Sequence, residues 1–358
     1  MLQSQALRVC ALVARPLRTA RTSPRPTPNG AASQRHIITC RDDGGNEMKV
    51  TVVGAGNVGA TCAQRIVESK LADVYLVDVV EGLARGKALD LAEAAPVVGH
   101  GCRIEGGEDY APAAGSDIVV ITAGIARKPG MSRDDLLATN GKIAQSVVGN
   151  VVAHAPDAII LMVSNPLDVT TYIAQEVSGL PRERVFGMAG VLDTARFRAF
   201  IAMEVGCSPE DVTAMVLGGH GDSMVPLRRH ATVSGVPISE LIPAARIEEI
   251  VQRTRDGGAE IVKHLKTGSA FYAPAAAVCQ MVASVLRDER RILPTCVRLQ
   301  GEYGLADVFV GVPAVLGKNG IEQVIEVSLT DEERGALETS AQHVRETIET
   351  WERLSGGE

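Results

Sequence analysis

The chain has 358 residues, 46% of them hydrophobic, which is enough for one large core or two moderate ones, and two domains are expected at this length. Its net charge of -7 disfavours a nucleic-acid partner, which requires a basic surface. The 7 cysteines form no CxxC pair, so their spacing predicts free thiols in a reducing compartment, with no metal site and no disulfide framework. No apolar run approaches the ~20 residues that cross a bilayer, and no membrane partner is expected.

The first 47 residues differ in composition from the rest of the chain. Met1 to Arg41 contains no Asp or Glu, and its arginines are spread among Ser, Thr, Pro and Ala, which predicts a disordered extension over 1–47 that resembles an organelle transit peptide. We favour the alternative that Met48 is the true start, because a strand begins there and Gly44-Gly45 can be encoded by a purine-rich ribosome-binding stretch. Met48 as the start predicts a cytoplasmic protein, whereas a real transit peptide predicts an organelle matrix.

A glycine-rich turn follows the first strand. The β-branched run 49–53 leads into GAGNVG and then into a helical pattern. Gly54 permits a tight turn, Gly56 lets the backbone approach a pyrophosphate, and Gly59 allows close packing of the helix on the strand. The turn predicts a dinucleotide site made by Gly54, Gly56, Asn57, Val58 and Gly59.

The next apolar run, 74–77, ends at Asp78. This is the distance from a glycine-rich turn at which a carboxylate meets the ribose hydroxyls of adenosine. A carboxylate there repels a 2′-phosphate, so Asp78 predicts NAD rather than NADP as the cofactor.

The chain then alternates between helical and strand patterns. Helices are predicted at 82–95 and 132–154, and strands at 117–122 and 158–163. Such alternation predicts an α/β fold with a Rossmann doubly wound parallel sheet over 48–190. The pattern over 191–358 predicts an α+β substrate and catalytic domain. Ligands of such sheets bind at the carboxyl ends of the strands, which here are followed by the loops after Thr122 and Ser164.

A carboxylate–guanidinium pair and a single histidine in the second half of the chain are candidates for catalysis. Asp193 and Arg196 lie three residues apart in a helical segment and therefore share a face. His220 is framed by Gly218, Gly219 and Gly221, which indicates a tightly bent backbone that points an imidazole into a cleft. An imidazole exchanges a proton readily near neutral pH.

Five motifs in one order, GAGNVG, RKPGMSR, SNPLD, VLDTARFR and GGHGD, resemble those of the lactate/malate dehydrogenase family, specifically its bacterial, lactate-dehydrogenase-like branch. The resemblance runs from Met48 almost to the C-terminus. It implies NAD-dependent hydride transfer between a 2-hydroxy acid and a 2-keto acid. It also implies a homodimer or homotetramer, with the second helix after the glycine turn as a candidate interface.

The resemblance assigns roles to the catalytic residues. His220 matches the family's proton acceptor, and Asp193 matches the carboxylate that orients this imidazole. Arg196 matches the guanidinium that holds the C1 carboxylate of the substrate by two parallel hydrogen bonds.

Other matches lie around the substrate and the nicotinamide. Arg133 matches the loop arginine that polarises the reacting carbonyl. Asn165 matches a residue that binds substrate or cofactor, Asn140 and Val163 lie on the nicotinamide side, and the Asn165–Pro166 peptide bond is expected to be cis.

Arg127 decides the predicted substrate. It stands first in RKPGMSR, where relatives that act on pyruvate carry an uncharged side chain, and it predicts recognition of the second carboxylate of malate and oxaloacetate. Pro129 and Gly130 predict a mobile lid that closes both loop arginines onto the substrate. The expected role is malate oxidation in the tricarboxylic acid cycle. The alternatives are an L-lactate dehydrogenase and a non-catalytic NAD-binding protein.

Overall fold

The computed structural model describes Cys40, Gly45 and residues 47–126 and 130–356. Most of the predicted disordered extension over 1–47, together with Arg127, therefore lies outside the described residues. The helices are α1 Asn57–Glu68, α2 Leu83–Val98, α3 Arg133–His154, α4 Leu167–Ser178, α5 Gly190–Val205, α6 Ile238–Leu241, α7 Ala244–Leu265, α8 Tyr272–Leu286 and α9 Asp331–Ser355. The strands are β1 Lys49–Val53, β2 Asp73–Val77, β3 Ile104–Gly107, β4 Ile118–Ile121, β5 Ile159–Met162, β6 Val185–Gly187, β7 Val212–Thr213, β8 Val216–Leu217, β9 Val225–Pro226, β10 Thr232–Val233, β11 Val236–Pro237, β12 Arg291–Gln300, β13 Ala306–Gly317 and β14 Gly320–Val324.

The main sheet has nine strands in the order β14-β13-β12-β6-β5-β4-β1-β2-β3. Strands β1 to β6 are parallel and lie in the order 3-2-1-4-5-6, so the predicted Rossmann arrangement is confirmed. Strand β12 joins β6 in antiparallel orientation at Cys296 opposite Gly187, and β13 and β14 continue the sheet. Because strands from both halves share one sheet, the division of domains at residue 190 stays a prediction.

Two hydrophobic cores hold the described chain together. The larger core fills both faces of the nine-stranded sheet, and its strands are apolar on both faces, as a parallel sheet covered by helices requires. The smaller core lies between α5, α7 and the short strands β7, β8 and β10, around Phe197 and Ile201. The helix α5 therefore faces both the sheet and the second core, and it begins at the carboxyl end of β6.

Most predicted elements are found within a few residues of their expected bounds. The apolar run over 212–217 forms two strands and not one, because the chain changes sheets in its middle: β7 pairs with β10, whereas β8 pairs with β9. Apolar side chains alone could not show that this short run serves two different sheets.

The C-terminal helix α9 docks on α3. It begins with a capping box, in which Oγ1 of Thr330 accepts a hydrogen bond from the backbone N–H of Glu333. The indole of Trp351 occupies the space that a side chain at Gly141 would need, since a Cβ there would lie 2.1 Å from the ring. A glycine inside α3 thus makes room for the docked helix. Among the helices of the described residues, none is both long enough and apolar enough to cross a membrane.

The prediction of free thiols is wrong for two cysteines. Cys40 and Cys102 form a disulfide, with their Cα atoms 4.9 Å apart. The backbone N–H of Cys40 donates to Asp73 in β2, which brings residue 40 next to the start of the neighbouring strand β3. Because the two cysteines are 62 residues apart, their spacing carried no sign of this contact. Of the others in the described chain, Cys62, Cys207, Cys279 and Cys296 are free thiols.

Candidate active site

The glycine turn leaves space where a pyrophosphate would approach. A Cβ at Gly59 would lie 1.8 Å from the carbonyl oxygen of Gly54, so the helix packs on the turn only because Gly59 has no side chain. Gly54 adopts a φ of +99°, which favours glycine. A Cβ at Gly56, by contrast, would have no neighbour within 4 Å. This open space lies at the start of α1, and it fits the phosphates of a dinucleotide.

Asp78 lies beside this turn at the end of β2. One carboxylate oxygen accepts a hydrogen bond of 2.6 Å from the backbone N–H of Ala55, and the other accepts one of 2.9 Å from Val80. Both bonds fix the negative charge next to the turn. The structure therefore brings Asp78 and the glycine turn together, as the sequence predicts.

The histidine loop is fastened to the main sheet and to α9. Gly218 and Gly311 of β13 exchange two backbone hydrogen bonds of 2.9 and 3.0 Å. A Cβ at Gly311 would lie 2.7 Å from the carbonyl oxygen of Gly218, so this approach requires glycine. The backbone N–H of Gly219 donates to Oγ of Ser340 at 2.8 Å. These contacts hold the loop that carries His220 in one position.

His220 and Asp193 form a directed pair. Nδ1 of His220 lies 2.9 Å from Oδ2 of Asp193, and the side chains are only 17% and 2% exposed. An ionised carboxylate accepts and does not donate, so Nδ1 carries the proton in this pair. Nε2 is then the ring nitrogen left to accept a proton from a substrate.

Arg196 meets the other oxygen of the same carboxylate. Its Nη1 donates to Oδ1 of Asp193 at 3.2 Å, while Nη2 has no hydrogen-bond acceptor among the described residues. Gly257 in α7 makes this possible, because a Cβ there would lie 3.1 Å from Cδ of Arg196. The guanidinium is thus held on one side and available on the other. Sequence reasoning did not foresee the role of Gly257, although a glycine pair inside a helical pattern was a visible sign.

Asp168 is a second buried carboxylate near His220 that sequence reasoning missed. It lies in the first turn of α4, and its Oδ2 accepts a hydrogen bond of 2.9 Å from the backbone N–H of His220. Its Oδ1 is buried and has no hydrogen-bond partner in the described part of the chain. Asp168 is part of the SNPLD motif, but the motif alone gave no reason to place it under the histidine loop.

The surrounding charges set the proton affinity of His220. Burial acts to lower the pKa of its imidazole, but the negative charges of Asp193 and Asp168 outweigh burial and raise this pKa above 6.5. The positive charge of Arg196 opposes the increase. The pair therefore holds its proton to a higher pH than a free imidazole does.

Asn140 lies in α3 and its side chain contacts the loops that follow β4 and β5, the second of which carries Asn165. The buried amide of Asn140 accepts from the N–H of Ile125 at 2.8 Å and donates to the carbonyl of Asn165 at 2.6 Å. The Asn165–Pro166 bond is cis, as predicted. The side chain of Asn165 is exposed and has no hydrogen-bond partner among the described residues, and the buried Val163 precedes it by two residues. These positions fit a ligand at this edge, but the predicted contacts of Asn140, Val163 and Asn165 with it stay predictions.

Arg133 begins α3 and lies on the surface. Its Nη2 is 3.3 Å from Oδ2 of Asp222, and the two side chains are 74% and 82% exposed. An exposed pair of this kind contributes about 0–1 kcal/mol, so it leaves Arg133 free to exchange partners. Asp222 is two residues beyond His220, which places Arg133 beside the histidine loop.

Two family models cover the described chain almost completely. The lactate/malate dehydrogenase NAD-binding domain matches residues 48–187, and the lactate/malate dehydrogenase alpha/beta C-terminal domain matches residues 190–354. The chain belongs to the lactate/malate dehydrogenase family. The predicted resemblance is therefore confirmed, as are the Rossmann fold and NAD as the cofactor.

Relatives in the lactate/malate dehydrogenase family are similar over nearly their whole length. Malate dehydrogenase of Trichormus variabilis is 60% identical over 303 residues, which are 85% of this chain and 94% of the relative. Malate dehydrogenase of Desulforudis audaxviator is 57% identical over 297 residues, 83% of this chain and 96% of the relative.

Solved structures of the family share the fold. Malate dehydrogenase from Salinibacter ruber is 51% identical with a TM-score of 0.83, and the match covers 86% of this chain and 99% of that one. Lactate dehydrogenase from Cryptosporidium parvum, solved with lactic acid and nicotinamide adenine dinucleotide, is 40% identical with a TM-score of 0.83, covering 86% and 98%. Because members with either name fit the fold equally well, the fold does not choose the substrate.

Proposed function

We propose that this chain catalyses the reversible oxidation of (S)-malate to oxaloacetate with NAD. The observation that carries the proposal is the assembly of His220, Asp193 and Arg196 into one hydrogen-bonded unit at the carboxyl edge of the sheet. A non-catalytic NAD-binding protein would have no need to keep a proton acceptor, its orienting carboxylate and an available guanidinium together. All three are intact and in contact.

Each side chain has a separate role in the proposed reaction. The available edge of Arg196 binds the C1 carboxylate of malate, and Nε2 of His220 takes the proton of the C2 hydroxyl. Bound NAD supplies the hydride acceptor. Asp193 holds the ring so that Nε2 faces the substrate, and it stabilises the imidazolium that forms. In the reverse direction His220 returns the proton, while Arg133 and Asn165 donate to the carbonyl oxygen on which negative charge develops.

Malate is favoured over lactate by Arg127. A second carboxylate requires a cation when it leaves water, and this arginine in the RKPGMSR motif supplies one. The similarity to proteins named malate dehydrogenase, at 53–60% identity, supports the same choice. An L-lactate dehydrogenase remains the second candidate, because lactate dehydrogenases share the fold.

The test is NADH oxidation followed at 340 nm in parallel reactions with oxaloacetate, with pyruvate and without a substrate. We expect rapid turnover with oxaloacetate, slow turnover with pyruvate and none without substrate. With NADPH in place of NADH, kcat/KM should fall at least about a hundredfold, because the carboxylate of Asp78 repels a 2′-phosphate by several kcal/mol. Equal rates with pyruvate and oxaloacetate would favour a lactate dehydrogenase, and no turnover with either would favour the non-catalytic protein.

We also propose that the active protein is a homodimer or homotetramer that associates through α2. This helix and the loop before it expose several large apolar side chains, including Leu89 at 61% and Val97 at 89%. Such a cluster is typical of a surface that another protein covers. Sedimentation velocity should give a mass of two or four chains, and Leu89→Glu should shift the protein towards the monomer. A wild-type monomer at micromolar concentration would rule out this assembly.

The cytoplasm and the tricarboxylic acid cycle remain part of the proposal. Similarity to bacterial malate dehydrogenases supports them. Cys40, which forms the disulfide with Cys102, would be missing from a chain that begins at Met48. Mass spectrometry of the protein from its source tests both points, since a native N-terminus well upstream of Met48 would contradict Met48 as the start.

A further inference from the structure

His220 has a second carboxylate neighbour besides its orienting partner. Asp168 approaches the histidine loop from α4, on a different element from Asp193 in α5. It does not touch the ring nitrogens but accepts a hydrogen bond from the backbone N–H of His220. A Cβ at Gly219 would lie 3.2 Å from Oδ2 of Asp168, so the preceding residue also leaves room for this carboxylate. The histidine loop therefore accommodates Asp168 in two ways, by the N–H that His220 donates and by the absence of a side chain at Gly219.

Burial raises the pKa of Asp168 above its usual value, while the hydrogen bond from the backbone N–H of His220 acts to lower it. The carboxylate is buried beside the thiol of Cys296, and its charge together with burial raises the pKa of that thiol. Oδ1 accepts no hydrogen bond from an N–H or O–H group of the described chain, and the thiol of Cys296 is only a weak donor to this carboxylate. A buried carboxylate oxygen without a partner costs free energy, typically about 1–3 kcal/mol or more, and a cost of this kind calls for an explanation in function.

The net charge of the buried cluster formed by Asp168, Asp193, Arg196 and His220 explains why this cost is tolerated. Two buried carboxylates, Asp168 and Asp193, and one permanent cation, Arg196, act on the imidazole of His220. With a neutral imidazole the cluster carries a net charge of about -1, and with an imidazolium it is neutral. In a buried site the neutral arrangement is favoured, so both carboxylates increase the proton affinity of His220.

We propose that Asp168 is a positioning residue for the reaction, which holds the backbone of His220 and acts on its imidazole through a buried negative charge. This inference rests on the proposed function. The role differs from that of Asp193, because Asp168 has no part in choosing the tautomer. The other charged groups near the ring are Arg196 and, on the exposed side of the loop, Asp222 with its partner Arg133.

The test is the pH dependence of kcat/KM for oxaloacetate at saturating NADH in Asp168→Asn. Asn has the same shape and keeps an oxygen for the N–H of His220, so the loop is retained while the charge is lost. Reduction of oxaloacetate requires the imidazolium, and kcat/KM falls as the pH rises through the pKa of His220. Loss of the charge should move this descending limb to lower pH by about one unit. At pH 8.5 the variant should then be about tenfold slower than the wild type, with a much smaller difference at pH 6.

The matched control is Asp222→Asn, which removes an equal charge two residues from His220 but at an exposed site. Water screens this charge, so the descending limb should stay within about 0.2 units of the wild type even if kcat changes. The conservative variant Asp168→Glu keeps the charge and should return the limb towards its wild-type position. If Asp168→Asn does not fold, as judged by thermal unfolding and NADH binding, Asp168→Ser gives a second neutral side chain for the same measurement.

A limb that does not move in the neutral variant would overturn the proposal, even with a lower kcat, because it would leave Asp168 with a purely structural role. A limb that moves to higher pH would also overturn it. These outcomes are separate from failure of the proposed function, in which the wild type itself would not reduce oxaloacetate.

Discussion

Replacing His220 by Asn should lower kcat for oxaloacetate reduction by about a thousandfold or more, because a positioned general acid contributes about 10²–10⁴-fold and Asn cannot donate a proton in its place. Binding of NADH should persist, since the glycine turn and Asp78 lie on other elements than the histidine loop. Steady-state NADH oxidation measures the first quantity, and quenching of protein or NADH fluorescence measures the second.

His343→Asn provides the control for this variant. His343 is exposed on α9, so the same substitution there should leave kcat unchanged. If His220→Asn retains more than about a tenth of the wild-type turnover, His220 is not the proton donor.

Replacing Arg127 by Gln should raise the ratio of kcat/KM for pyruvate to kcat/KM for oxaloacetate by at least about a hundredfold. A charge-assisted hydrogen bond to the distal carboxylate contributes about 1.5–3 kcal/mol, and an arginine left without a partner beside pyruvate is penalised in addition. Removing the charge eliminates both the bond to oxaloacetate and the penalty beside pyruvate, and each change raises the ratio.

Lys128→Gln is the matched control, because it removes a neighbouring positive charge from the same motif and should leave the ratio unchanged. The measurement is a pair of steady-state series with the two keto acids. An unchanged ratio in Arg127→Gln would place substrate specificity elsewhere in the chain.

The sequence predicted those features that local patterns encode. The glycine turn depends on residues close together in the chain, and Asp78 follows it at the spacing of one strand–helix–strand unit; both are found as expected. The same holds for Asp193 and Arg196, which meet because a helix brings residues three apart onto one face.

Contacts between residues far apart in the chain could not be predicted from local sequence patterns. Asp168 lies 52 residues from His220, and the disulfide joins Cys40 to Cys102 across 62 residues. Nothing in the spacing of such pairs marks them, because the folding of intervening strands and helices decides whether they meet. The pairing of His220 with Asp193, 27 residues apart, was expected only through the resemblance to a family.

The proposed reaction depends on the acid–base role of His220, whose proton affinity is raised by two buried carboxylates. Its most direct test is kcat/KM for oxaloacetate with the wild-type protein between pH 6 and 9.5 at saturating NADH. We predict a plateau at low pH and then a tenfold decrease per pH unit above a pKa higher than 6.5. A flat profile, or a decrease that is complete below pH 6.5, would contradict it.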